Sequence, residues 1–302
     1  MMLRSVGGSD VGEEKDGSFL AAQVANLSLA PAAGGAQPSL AAHVNTESLE
    51  SAAEKFRSTY SEPPVAAVDK VHFVMNNLSV ANLEAKIGDI RAKVLPDYAA
   101  WFANYLVVRR AAQEANYHVL YLSMVDKLGD RDLRRLLVRT TLYYVKILLY
   151  SERTVKESND RALLKNLGVW LGLQTFARER PVLSRDLELK QVVIEAYQRG
   201  RLIAVLPFLQ KLLECCRESR VFRPTNPMIG GVLSLLAELH SLKGLKINNA
   251  FCIELVFKAF AISAEDVKPT DQLRSLARSR HCNPDWGVDM LADDSASSAP
   301  LP

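Results

Sequence analysis

The helical spacing of apolar side chains constrains the fold of this chain more than any other sequence feature. Over about two hundred positions, apolar residues recur every three to four residues, the spacing of one α-helical face, and no segment alternates as a β-strand does. Four of these stripes are Tyr117, Leu120, Tyr121, Met124, Val125 and Leu128; Leu133, Leu136, Leu137, Thr140, Tyr144, Ile147 and Leu148; Leu189, Val192, Val193, Ala196 and Tyr197; and Ile229, Val232, Leu233, Leu236, Ala237 and His240. The pattern predicts an all-α chain.

Glycine, proline and capping residues divide this pattern into ten predicted helices. The clearest boundary is Asn226-Pro227, where the Asn side chain accepts from free N–H groups of the first turn and Pro occupies a position that needs no donor. The predicted helices span residues 68–78, 83–95, 97–112, 115–128, 131–151, 160–178, 186–199, 202–216, 228–242 and 248–262. Paired in order, they form about five antiparallel hairpins of roughly 40 residues, the length of HEAT-type repeats. We therefore predict a right-handed α-solenoid.

The predicted solenoid, residues 67–268, lies between two segments of different composition. Residues 1–66 are rich in Ala, Gly, Ser and Pro, so we predict a disordered tail in which a short helix is compatible with residues 46–60. We predict a flexible C-terminal tail over residues 269–302. The solenoid carries 30 basic and 21 acidic residues, whereas residues 1–66 carry 4 basic and 8 acidic ones. A basic body favours acidic protein surfaces or RNA phosphates as partners.

Side chains that could form a catalytic or metal centre are scattered along the chain. The five histidines make no H-x-x-x-H or H-E-x-x-H pattern, and neither a G-x-S-x-G elbow nor a phosphate-binding glycine loop is present. Acidic residues alternate with arginines, unlike the clustered acids of a two-metal nuclease. We expect no enzyme activity, no metal and no cofactor. The four cysteines are expected to be reduced and inert, in a soluble intracellular protein without a membrane span.

One helix face is rich in arginine. The residues at helical spacing are Arg131, Arg134, Arg135 and Arg139. They form either a solvated face or a contact for RNA phosphates or an acidic protein surface.

Two aromatic clusters are candidates for protein contacts. They are Trp101, Phe102 and Tyr105, and Asn116, Tyr117, His118 and Tyr121. Consecutive helical positions are about 100° apart, so these side chains cannot all point inward on their own helices. Some must face the surface or the next repeat, and exposed aromatic or arginine side chains are typical binding anchors.

Small residues mark a third pattern. Gly168 and Gly172 are four residues apart and remove side chains from one helix face, which permits another helix to approach closely. Asn166 shares a face with Trp170, where it either closes a buried loop by hydrogen bonding or faces a partner.

Five strings of residues carry a family resemblance. They are 73–79 (FVMNNLS), 105–110 (YLVVRR), 116–121 (NYHVLY), 160–172 (DRALLKNLGVWLG) and 221–227 (VFRPTNP). Together they resemble the central MIF-four-G domain (middle domain of initiation factor four-G) of the Not-one type, from the scaffold of the Ccr-four/Not mRNA deadenylase complex. The similarity covers residues 68–268.

The resemblance implies a non-enzymatic scaffold with two protein partners besides other Ccr-four/Not subunits. One is a Caf-one (Pop-two) type deadenylase, and the other is a DEAD-box helicase of the Dhh-one type whose ATPase it stimulates. Such a scaffold couples poly(A) shortening with translational repression and mRNA decay in the cytoplasm, with mRNA-decay granules as a candidate location. Residues on matched segments that suit partner binding are Arg109, Arg110, Asn116, Tyr117 and Tyr121. The alternatives are an RNA-binding helical solenoid and a translation-initiation scaffold of the four-G class.

Overall fold

The computed structural model describes residues 48–94, 97–279 and 283–287. The chain divides into two units, Met1–Ala42 and His43–Pro302, and every described residue belongs to the second. The helices in the described ranges are α1 Leu49–Arg57, α2 Val65–Asn76, α3 Leu83–Val94, α4 Ala99–Tyr105, α5 His118–Leu128, α6 Arg131–Tyr150, α7 Glu152–Lys156, α8 Ser158–Gln174, α9 Leu189–Arg199, α10 Leu202–Glu214, α11 Pro227–Ser241 and α12 Ile247–Ala259. Shorter helical pieces are a π-helix at Leu106–Ala111 and 3-10 turns at Ala115–Tyr117, Phe176–Arg178 and Ala264–Asp266.

Alternate helices pack side by side in a row. Helix α4 contacts α6, α6 contacts α8, α8 contacts α10, and α10 contacts α12. Sequence neighbours also pack as pairs, namely α2 with α3, α9 with α10, and α11 with α12. Each helix therefore buries its apolar face against its neighbours rather than around one centre, as in a helical solenoid. The predicted all-α solenoid is confirmed.

Two helix boundaries lie at residues that the sequence marks as helix breaks. The Asn226 side chain accepts hydrogen bonds from the N–H groups of Met228 (3.0 Å) and Ile229 (3.4 Å), with Pro227 in the first turn of α11. Helix α5 ends at Gly129, whose φ of 73° lies in the left-handed region that glycine adopts without strain. The predicted boundary at Asn226-Pro227 is confirmed.

Helices α8 and α10 approach each other closely at two glycines. A Cβ atom placed on Gly168 would lie 2.8 Å from the carbonyl oxygen of Phe208, and one on Gly172 would lie 2.6 Å from Sγ of Cys215. Both distances are shorter than the 3.4–4 Å of ordinary van der Waals contact. The predicted close packing at these glycines is confirmed.

The N-terminal end of the described chain is a packed helix. Ser48 caps α1, and its hydroxyl oxygen accepts from the Ser51 N–H at 3.1 Å. Phe56 is 2% exposed, with its ring centroid 5.3 Å from that of Tyr143 in α6. A short helix at this place was compatible with the sequence, but the prediction of disorder is wrong for residues 48–66. Residues 1–47 lie outside the described residues, so disorder there stays a prediction.

A strap, residues 269–279 and 283–287, makes hydrogen bonds to helices α9 to α12. The buried carboxylate of Glu238 in α11 accepts from the backbone N–H groups of Gln272 (2.9 Å), Leu273 (2.8 Å) and Arg274 (3.1 Å), and from the Thr270 hydroxyl. The buried carboxylate of Asp285 accepts from the first two N–H groups of α10, at 2.9 and 2.8 Å. The prediction of a flexible tail is therefore wrong for these residues. Residues 288–302 lie outside the described part of the chain.

Candidate protein-binding surface

The predicted helix over residues 97–112 contains a widened turn. Helix α4 continues as the π-helix Leu106–Ala111, and the N–H of Ala112 donates to the carbonyl of Val107, five residues back, at 2.9 Å. The extra residue in the turn changes the direction in which the following side chains point, and such turns occur frequently at functional sites. Val107 and Val108 are buried here, whereas the next residue, Arg109, is exposed.

Arg110 joins the π-helix to its neighbours. Its Nε donates to the Tyr105 hydroxyl at 2.8 Å, its Nη1 lies 3.0 Å from the Glu114 carboxylate, and its Nη2 donates to the Asn76 side chain in α2. The Arg110 side chain is 14% exposed. This residue, predicted as a partner contact, is largely occupied by internal bonds.

Tyr121 is buried below this network. It is 2% exposed, and its hydroxyl donates to the Glu114 carboxylate. Burial, reinforced by the hydrogen bond to Glu114, raises the pKa of Tyr121 well above its usual value. Tyr121 is thus a buried residue beneath the surface. A partner would reach it only after displacing other residues.

Tyr117 lies above Tyr121 at the surface. Its side chain is 52% exposed, and the two ring centroids are 6.1 Å apart. The neighbouring Asn116 is exposed, and Val119 is 70% exposed. Here the structure agrees with the expectation that part of the second aromatic cluster faces outward.

The first aromatic cluster faces the neighbouring repeat instead. Trp101, at 8% exposure, and Tyr105, at 7%, are buried, and their rings stack with centroids 5.5 Å apart. The ring of His72 in α2 stacks on Tyr105 at 5.0 Å. Phe73, the next residue of α2, is 57% exposed and carries the Lys86 ammonium 5.4 Å above its ring. The sequence alone does not identify Phe73 as a surface residue, because this packing decides which side of α2 is exposed.

We call the exposed residues around this network the π surface; they are Phe73, Arg109, Asn116, Tyr117 and Val119. The Arg110 bonds link α2, which carries Phe73, to Glu114, just before the 3-10 turn that carries Asn116 and Tyr117. The region combines exposed apolar, aromatic and cationic groups. Such a combination is typical of protein-binding hot spots.

Buried polar groups hold the end of the π-helix in place. Nε2 of His118 donates to the Ala111 carbonyl at 2.7 Å, since a carbonyl oxygen can only accept. Asn166 of α8 donates to the Ala112 carbonyl at 2.8 Å. Burial lowers the pKa of His118, so the ring is neutral at physiological pH. Of the two predicted roles for Asn166, the structure shows the hydrogen-bonding one, in a partly buried position.

The predicted arginine face lies along the first half of α6. The structure brings Arg131, Arg135 and Arg139 into one exposed line at a spacing of four residues, whereas Arg134 is half-buried. Arg135 pairs with Asp132 at 3.2 Å between two well-exposed side chains. An ion pair of this kind contributes little stability, so the face remains available to a partner.

Groups that could carry chemistry are dispersed in the described ranges. No set of three or more His, Cys, Asp or Glu side chains there is arranged to hold a metal ion. Burial raises the pKa of the Cys215 thiol to about 11 and that of Cys216 to about 12, so both are protonated at neutral pH. No helix in this part of the chain has the length and apolar content of a membrane span.

Comparison with known proteins shows which protein family this sequence matches. The family described as the CCR4-NOT transcription complex subunit 1 CAF1-binding domain matches residues 59–283, from just before α2 to the strap. The chain is 36% identical over 208 residues to general negative regulator of transcription subunit 1 of Saccharomyces cerevisiae, and that alignment covers 69% of the chain and 10% of the relative.

Two further relatives are similar over comparable lengths of the chain. The CCR4-NOT transcription complex subunit let-711 of Caenorhabditis elegans is 37% identical over 235 residues, covering 75% of the chain and 9% of the relative. General negative regulator of transcription subunit 1 of Schizosaccharomyces pombe is 32% identical over 207 residues, covering 68% and 10%. The chain thus spans about a tenth of the length of these relatives. It belongs to the family of CAF1-binding domains of CCR4-NOT transcription complex subunit 1.

Proposed function

We propose that this chain is a non-enzymatic docking module of the CCR4-NOT complex and that it binds a CAF1-type deadenylase. The observation that carries the proposal is the match of a CAF1-binding family over residues 59–283, which contain α2 to α12. The dispersed titratable groups in the described ranges agree with a binding role. The family match also favours this class over a translation-initiation scaffold.

We place the deadenylase contact on the π surface. Tyr117 and Arg109 supply an aromatic ring and a guanidinium, the side chains most enriched among interface hot spots. The Arg110 network below them fixes their backbone before a partner arrives, which reduces the entropy lost on binding. Within the assembly, the module brings the deadenylase to other subunits, so that poly(A) shortening is coupled to translational repression and mRNA decay in the cytoplasm and its mRNA-decay granules.

Size-exclusion co-elution with a recombinant CAF1-type deadenylase tests this placement. We expect the complete chain to form a stable complex, and we expect Tyr117→Ala combined with Arg109→Ala to weaken it at least about tenfold. The control is Val80→Ala, because Val80 is an exposed apolar residue, at 84%, that lies outside the π surface. A complex with the double variant as stable as that with the control would exclude the π surface.

A DEAD-box helicase of the Dhh-one type is the second partner that we propose. The resemblance of the sequence supports it, and a helical solenoid can contact two mobile domains at once and favour their active arrangement. The assay is helicase ATPase rate with and without the chain. We expect stimulation, and an unchanged rate at saturating chain would refute this part of the proposal.

RNA contact is an alternative use of the arginine face. The exposed line of Arg131, Arg135 and Arg139 is the observation that favours it. Neutralising phosphates with these side chains would make the affinity for oligoadenylate fall steeply with salt. Reversal of the three charges to Glu should abolish such binding and leave deadenylase co-elution unchanged.

A further inference from the structure

Helix α12 exposes two large apolar side chains one turn apart. Ile247 is 82% exposed and Phe251 is 56% exposed, and their spacing of four residues puts them on one face. Leu255, which is half-buried, extends the line by another turn. No other two large exposed apolar side chains in the described ranges share a helix at this spacing.

The packing of α12 does not use these side chains. Its inner face is formed by Ile253, Val256 and Phe257, which are 0–2% exposed. This face packs against α10 and α11, and α12 is the last helix of the row. A helix that is apolar on two sides is normally covered on both. The outer line of Ile247, Phe251 and Leu255 is therefore a candidate contact for another molecule.

Positive charge lies at the N-terminal end of this line. Lys243 and Lys246 are exposed at the start of α12, whereas Lys258 at its end lies in one pocket with the exposed carboxylates of Glu265 and Asp266. Helix α12 begins without a side-chain cap at Lys246, so the positive end of its dipole adds to these charges. The one carboxylate on this helix, Glu254, lies 3.4 Å from His240, a contact that holds it toward α11.

The neighbouring helix α10 contributes little compensating charge. Lys211 and Glu214 of α10 pair with each other at 2.7 Å. Burial and the charge of Glu214 raise the pKa of the Cys252 thiol, and the charges of Lys211 and Lys165 act in the opposite direction, so all three charged residues lie near α12. Because Lys211 is paired with Glu214, Lys165 adds to the positive charge of Lys243 and Lys246 beside Ile247 and Phe251.

We propose that Ile247, Phe251 and Leu255, together the α12 surface, bind an acidic amphipathic helix of a partner protein. Such a segment places apolar side chains one turn apart against this line and carboxylates against Lys243 and Lys246. The proposal is independent of deadenylase docking, because the π surface is built from α2, the π-helix, the turn before α5 and the start of α5, none of which includes an α12 residue.

A second copy of this chain is a poorer occupant. Three apolar side chains form a patch far smaller than the roughly 800 Å² per partner of a stable protein interface. A short peptide of opposite charge fits both the size and the charge of the surface.

Fluorescence anisotropy of a labelled synthetic helix tests the proposal on the complete chain. The probe is an amphipathic peptide of about sixteen residues with leucines at positions i, i+3, i+4 and i+7 and glutamates on the flanks. Its matched control carries lysines in place of the glutamates. We expect a dissociation constant of the order of 10 μM for the acidic peptide, rising with salt, and at least about tenfold weaker binding of the basic one.

Two variants locate the site. Phe251→Ser and Ile247→Ser should each weaken the acidic peptide about tenfold without changing deadenylase co-elution, whereas Val80→Ser, at an equally exposed apolar position, should leave peptide binding unchanged. Equal binding of the two peptides, or no effect of Phe251→Ser, would overturn the proposal. Loss of deadenylase binding in Phe251→Ser would assign α12 to that interface instead. Concentration-dependent dimerisation in sedimentation, abolished by Phe251→Ser, would identify a second copy as the occupant.

Discussion

Substitution of Gly168 by Ala should destabilise the chain, whereas the same change at Gly88 should stabilise it. A Cβ on Gly168 would meet the Phe208 carbonyl oxygen at 2.8 Å and its ring carbon Cδ2 at 3.0 Å. The backbone oxygen belongs to α10, which also packs against α12 and cannot retreat freely. A Cβ on Gly88, in the exposed part of α3, would meet no atom within 4 Å.

The expected changes in the free energy of unfolding follow from two opposing contributions. Forcing extra volume into a packed contact costs about 1–3 kcal/mol, and replacing Gly by Ala inside a helix contributes about 1 kcal/mol of stability. Because the clash at Gly168 involves backbone, we expect a net loss of about 1–2 kcal/mol in its free energy of unfolding. At Gly88 the helix preference acts alone, so we expect a gain of about 0.5–1 kcal/mol.

Thermal unfolding followed by far-ultraviolet circular dichroism measures both effects. For a chain of this size, each kcal/mol shifts Tm by about 2–4 °C. Gly168→Ala should therefore lower Tm by roughly 2–8 °C, and Gly88→Ala should raise it by roughly 1–4 °C. The sign is the decisive result. If Gly168→Ala raised Tm as Gly88→Ala does, helices α8 and α10 would not be in contact as described.

Three further predictions concern buried titratable groups. Glu238→Gln should destabilise the chain by about 2–4 kcal/mol in urea unfolding, because an amide replaces an acceptor of buried N–H groups, while Glu265→Gln at an exposed position should change little. Burial lowers the pKa of His118, so its contribution to the free energy of unfolding should be constant above pH 6.5. Below pH 6.5 the free energy of unfolding should fall by up to about 1.4 kcal/mol per pH unit, and His118→Gln should reduce this dependence. The raised pKa values of Cys215 and Cys216 should keep both thiols unreactive to iodoacetamide at pH 7.5 until urea unfolds the chain; rapid native labelling would contradict this.

Local sequence signals predict those parts of the fold that depend on local interactions. The cap at Asn226 and the periodic stripe of α11 lie within a few residues of the groups that they bond or pack. The sequence also predicts the close approach at Gly168, because two glycines four residues apart leave one helix face without side chains. In these cases the residues that give the sequence signal lie within a few positions of the feature that they predict.

The parts that could not be predicted depend on partners distant in sequence. The strap looks flexible because its apolar residues are few, but Glu238 holds it from more than thirty residues away. The π-helix is likewise stabilised by Asn166, which reaches the Ala112 carbonyl from α8. Tyr121 and Arg110 were selected for their chemistry, and only tertiary packing reveals that they bond internally.

If this chain binds a CAF1-type deadenylase, isothermal titration of the complete chain with that enzyme should show it most directly. We predict a one-to-one complex with a dissociation constant below about 1 μM, as expected for an interface of standard size. We also predict weaker binding when Tyr117 and Arg109 are both replaced by Ala. The absence of binding heat at several temperatures, with co-elution also absent, would contradict the assignment of this chain as a deadenylase-docking module.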